Sequence, residues 1–199
     1  MRYLCTLTRR PLALLALAAL VIAPGGADAQ GTTATGAATP GPTAGATPAA
    51  SARLFLEQFD ASMSKFIALA QAVPAEKYAW SPGAGTMPVA KVYAHVARFN
   101  YHYPATSMGV APPAGVKLDT LEGMTDKTQL VALLRRSQAH VRQAVGAMPE
   151  AQLARTTTLY GQQVPQWAVL LQLVAHMNEH LGQSIAYARM NGVVPPWSQ

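Results

Sequence analysis

The sequence has a single cysteine, Cys5, and it stands ahead of an apolar run near the N-terminus. The rest of the chain therefore has no disulfide staple, no thiolate zinc ligand and no catalytic thiol, and its stability must come from packing. Such a chain also has nothing to misoxidise in an oxidising compartment. Charge is scarce, at 12% of residues, and no run of Lys and Arg is present. Three of the cations behind the net charge of +6, Arg2, Arg9 and Arg10, crowd into the N-terminal segment. What is left gives nucleic-acid binding little electrostatic support, so no nucleic-acid partner is expected. There is no G-x-S-x-G elbow for a serine hydrolase. Gly83-Ala84-Gly85 has neither a strand before it nor a basic residue after it, which excludes a phosphate loop. No segment shows the alternation of a half-buried strand.

The N-terminal segment itself reads as a secretory signal over residues 1–29. Its arginines precede the apolar run Leu12 to Ala23, and Ala27-Asp28-Ala29 fits the small-x-small cleavage pattern. The run is short for a transmembrane helix, so no stable membrane span is expected after cleavage, and the protein is expected to be periplasmic or secreted. Retention of the segment as an anchor is the alternative. Residues 30–50 are Gly, Thr, Ala and Pro without charge, a composition that cannot bury a core and reads as a disordered linker. Residues 51–199 make one domain of ordinary size.

Within that domain four segments carry a 3.6-residue apolar period. The first runs from about Ser51, a plausible N-cap, to Val73, with Phe55, Phe59, Phe66 and Ala70 on one stripe. Tyr78 and Trp80 follow in a turn-rich stretch and are expected to fold back as a lid on the core. The second helix runs from about Pro88 to Tyr103, where Pro104 reads as a stop. The third begins near Asp126, capped by Thr125 or Asp126 with Gln129, and ends near Gly146. The fourth begins at Pro165 and ends at Met190 before Asn191-Gly192. The fold class is all-α: an antiparallel four-helix bundle, with residues 104–124 as a long crossover connection between helices 2 and 3.

The last helix carries His176-Met177-Asn178-Glu179-His180-Leu181-Gly182-Gln183. Histidines four residues apart lie on one helix face and can hold one divalent ion. His95, among Val92, Val96 and Phe99, can supply a third nitrogen, leaving open positions for water or substrate. Alone, His95 would be read as a core histidine bonded to a backbone carbonyl; with the pair, a metal site is favoured. His102 reads as an acid/base group, a supporting group or an exposed rim residue. His140, beside Arg135, Arg136 and Arg142, reads as solvent-exposed. Glu179 completes a literal H-x-x-E-H, the inverted zinc-protease string, yet no acidic residue follows His180 to complete that protease ligand set. Glu179 then reads as a supporting or rim carboxylate. Gln183 is placed to hydrogen-bond a metal-bound water or an adjacent loop.

These residues resemble the DinB/YfiT-like superfamily of metalloenzymes. The resemblance rests on His95 in Tyr93-Ala94-His95-Val96-Ala97, on the closing block from His176 to Gln183, and on the exit Tyr187-Ala188-Arg189-Met190-Asn191-Gly192-Val193-Val194-Pro195-Pro196. It spans residues 51–199. It implies an antiparallel four-helix bundle with a crossover connection. It also implies a divalent metal, zinc or nickel, on His95, His176 and His180. Known activities in the family are thiol-dependent transfer and isomerisation and metal-dependent hydrolysis. Members often carry a further histidine where this chain has Glu179, so an activity using an imidazole there is not implied. Export argues against the cytoplasmic thiol cofactors.

The function expected first is an exported metal-dependent hydrolase that uses a metal-bound water, with Glu179 or His102 moving the proton. The alternative is a non-catalytic periplasmic bundle that binds metal or a ligand. A DinB-type transferase and a purely structural bundle rank behind both. The small-molecule substrate is not legible, and an exposed apolar stripe leaves homodimer formation open.

Overall fold

The computed structural model describes residues 50–198. The expected signal over 1–29, and all but the last residue of the expected linker over 30–50, lie outside them. Helix α1, Ala50–Ala72, turns Phe55, Phe59, Met63, Phe66 and Ala70 inward at three- and four-residue spacing. Ser51 lies within its first turn rather than capping it, and its hydroxyl donates to the Glu150 carboxylate at 2.9 Å. After α1 the chain folds back as expected. The Tyr78 hydroxyl donates to the Ala70 carbonyl at 2.7 Å, and Trp80 packs edge-on against Tyr187.

Helix α2, Val89–Met108, runs past the expected stop at Pro104. A helix-interior proline removes one backbone bond at a cost of about 3 kcal/mol, so the extension needs compensation. Pro104 is itself buried among the core residues. The added turn is tied by Ser107, whose hydroxyl donates to the Thr158 carbonyl at 2.9 Å. The Thr157 hydroxyl donates in return to the Ser107 carbonyl. Gly109, at φ 72°, closes the helix in the left-handed conformation that glycine takes without penalty.

Helix α3, Lys127–Gly146, begins as the capping signal predicts, with the Asp126 side chain accepting from the Gln129 backbone N–H at 2.8 Å. Its buried face includes Leu130, Leu133, Leu134, Ser137, Val141 and Val145. His140 lies on that face, only 8% exposed and packed against the Tyr101 ring, which corrects the solvent-exposed reading. Its position seven residues after Leu133 puts it on the apolar stripe, while Arg135, Arg136 and Arg142 remain exposed.

A short helix α4, Glu150–Leu153, leads into strands β1, Thr156–Leu159, and β2, Gln162–Pro165, which pair antiparallel with Thr157 opposite Val164. This hairpin adds two short strands to the expected helices. Four-residue strands are too short to display alternation, but the β-branched run Thr156-Thr157-Thr158 before Gly161 was the available signal. Tyr160 at φ 51° and Gly161 at φ 78° form its two-residue turn, matching the twist that hairpins favour. Helix α5, Gln166–Met190, follows directly, with Pro165 in extended backbone just before it.

The described residues are thus mostly helical, with five α-helices and one two-stranded sheet. Helices α1 and α2 each pack against both α3 and α5. The shared core is led by Phe59, Phe66, Tyr93, Leu134 and Leu173, all at most 1% exposed. No helix among the described residues is long and apolar enough to cross a membrane.

Candidate metal centre

The packing of α2 on α5 brings His95 to His176 and His180. Their ring centroids stand 5.1 Å (His95 to His176), 4.9 Å (His95 to His180) and 4.6 Å (His176 to His180) apart. One ring nitrogen from each lies within 4.8 Å of the others. Nitrogens bound to one zinc-sized ion at about 2.0–2.1 Å lie no farther apart than about twice that length, so a separation within 4.8 Å puts the trio on the scale of a single-ion site.

The protonation pattern suits a cation. His95 Nδ1 lies 2.8 Å from Glu122 Oε1. A carboxylate only accepts, so Nδ1 carries the hydrogen and Nε2 keeps its lone pair. His180 Nδ1 donates to Gln183 Oε1 at 2.7 Å, and the Gln183 amide donates in turn to the Tyr187 hydroxyl at 3.0 Å. The Nε2 of His180 is freed in the same way. Histidine ligands are commonly oriented by such a bond on the other ring nitrogen. His176 is 9% exposed, and burial, then the charge of His180 and His95, pushes it down to about 3. It is held neutral, the form that binds metal. Burial also lowers His95, although the Glu122 carboxylate pulls the other way.

Glu122 is the residue that sequence reading missed. It sits in a single 3₁₀ turn, Leu121–Gly123, within the connection between α2 and α3. Buried Leu121 anchors the turn, and Arg98 donates to the Leu118 carbonyl at 3.1 Å. Lys91 Nζ and an Arg98 nitrogen each lie 3.8 Å from the Glu122 carboxylate. A lone Glu in a Pro/Gly-rich stretch has no periodicity to reveal such a task.

The other expected site residues lie around this trio. Gln183 holds His180 itself rather than an adjacent loop. Glu179 is exposed on α5. Asn178 turns away to accept from the Ser62 hydroxyl on α1 at 2.9 Å. His102 is outside the converging set; its ring meets Phe99 edge-on at 5.2 Å, and burial, then Arg98, lowers its pKa. Phe99 forms an apolar wall, its ring 4.6 Å from both His95 and His176. Tyr103 stands edge-on to His176 at 5.8 Å, and its hydroxyl meets that of Tyr160 at the hairpin tip and the Gln172 amide. The two features absent from the sequence reading, the α2 extension and the hairpin, thus combine to set a phenol pair beside the trio.

The family model of the DinB superfamily matches residues 58–187, more than half of the chain. A crystal structure of a DinB-like protein from Bacillus cereus is similar with a TM-score of 0.64 and 17% identity, covering 71% of this chain and 93% of that one. A second, of a DinB-like protein from Bacillus subtilis, is similar with a TM-score of 0.58 and 20% identity, covering 73% and 98%. No curated protein matches.

Proposed function

The chain belongs to the DinB superfamily, and we propose that it holds one divalent metal ion, zinc or nickel, through His95, His176 and His180 and acts as an exported metal-dependent hydrolase. The observation that carries this reading is the convergence of three ring nitrogens within 4.8 Å, two of them oriented by Glu122 and Gln183. A bound ion would supply Lewis acidity and a water acidified for hydrolysis. The chain's own residues do the rest. Glu122 fixes the His95 ring through Nδ1, and Gln183 fixes His180 through Nδ1. His102, with its pKa lowered, offers a neutral ring nitrogen that can take up a proton, and exposed Glu179 offers a carboxylate for the same task. Phe99 excludes water from one side of the trio. The arrangement assumed is an antiparallel four-helix bundle with a long crossover connection, exported by the segment 1–29.

The test uses the metal-free full chain. Addition of zinc or nickel should raise its melting temperature by mass action, since the site exists only in the folded state. The metal-loaded protein, screened against ester, amide and phosphoester substrates, should then show a turnover that the triple His95→Ala, His176→Ala, His180→Ala variant lacks. A melting shift without turnover would favour the non-catalytic metal-binding module, and absence of both would leave a structural bundle.

A further inference from the structure

Away from the three histidines, where the α2–α3 connection passes over α3, two adjoining cavities of about 470 Å³ each share Pro113, His140 and Gln143 in their walls. One of them is also lined by Tyr101, Val116 and Arg136. Volumes of this size suit a small molecule. None of the three metal-site histidines takes part, and no carboxylate lines either cavity.

Hydrogen-bond donors dominate the polar part of the lining. Arg136 contributes an exposed guanidinium. It lies beside the Tyr101 phenol, which burial pushes up and the Arg136 charge pulls back down. His140 is more than nine-tenths buried, with part of its ring on the cavity wall, while its Nε2 is shut off from the cavity. The remaining walls, Pro113 and Val116 with the Tyr101 ring, are flat and apolar.

We propose that this groove is a second ligand site that takes a small carboxylate with a flat apolar body. The carboxylate pairs with the Arg136 guanidinium, which matches its planar fork. The apolar body lies along Pro113 and Val116 and against the ring of His140. The site does not depend on a metal at the three histidines.

The test titrates benzoate into the isotopically labelled full chain and follows the histidine ring signals by NMR, with benzamide as the uncharged isostere. Benzoate should shift the His140 signals saturably in the millimolar range or tighter, and benzamide should not. Arg136→Met, a change at an exposed position, should weaken benzoate by about tenfold or more, the loss of one charge-assisted pair. His176→Ala should leave benzoate binding unchanged, so failure of the metal site cannot be mistaken for failure of this one. His140→Gln gives a second variant, and Arg136→Met retains the test where that protein does not fold. Absence of a saturable shift, an equal response to benzamide, or full binding in Arg136→Met would overturn the proposal.

Discussion

His95 on α2 is bonded through Nδ1, at 2.8 Å, to Glu122, which lies 27 residues further along the chain in a single turn of the connection. The bond fixes both the ring's orientation and its tautomer, and so decides which nitrogen faces His176 and His180. Glu122→Gln keeps the shape and loses the charge. It should lower zinc affinity about 10- to 100-fold, the usual effect of removing a carboxylate that supports a histidine ligand. Competition against a chelator of known affinity measures this; unchanged affinity would mean that the carboxylate serves only Lys91 and Arg98.

Stability of the metal-free protein should fall as the solution is acidified, and His176 sets part of the window. Its ordinary value of 6.5 applies to the unfolded chain, and burial brings it to about 3 in the folded one. Between those values the unfolded state binds more protons, so stability rises with pH there. The contribution is fully present above about 6.5 and is lost as the pH falls toward about 3. Urea unfolding at a series of pH values should show a shallower slope for His176→Gln than for the parent. Parallel slopes would contradict a buried neutral imidazole.

Two glycines should respond to alanine with opposite signs. Gly161 sits at φ 78° in the hairpin turn, where a Cβ costs about 1–2 kcal/mol. Gly182, inside α5, has nothing within 4 Å of an added Cβ, so alanine there should add about 0.5–1 kcal/mol of helix stability. Thermal melts of Gly161→Ala and Gly182→Ala decide both. A destabilised Gly182→Ala would show that the close of the His176-to-Gln183 block needs glycine for space.

The core makes a plainer prediction. Phe66 is fully buried and meets Tyr93 edge-on at 5.2 Å. Phe66→Ala should cost about 3–5 kcal/mol by leaving a cavity. A loss under about 1 kcal/mol by urea unfolding would mean that the helices repack freely around the gap.

Much of this architecture is written in local pattern, and the parts that are not share one cause. Apolar spacing located the four long helices, and the Asp126 cap and the Asn191-Gly192 exit marked their ends. The i,i+4 spacing of His176 and His180 was readable because a helix enforces it. Pro104 misled because a local rule for helix ends was overruled by tertiary support from Ser107 and Thr157. His140 misled because neighbouring arginines outweighed its place on the Leu133 stripe. Glu122 and the Tyr103–Tyr160 pair were illegible, since each depends on contacts between segments far apart in sequence.

The central claim is that His95, His176 and His180 hold one metal ion, and elemental analysis of the full chain, produced and purified without chelators or a nickel column, tests it most directly. The account predicts one zinc or nickel per chain in the parent and almost none in a folded His176→Ala variant. Equal metal content in the two proteins, or none in either after exposure to both metals, would contradict it.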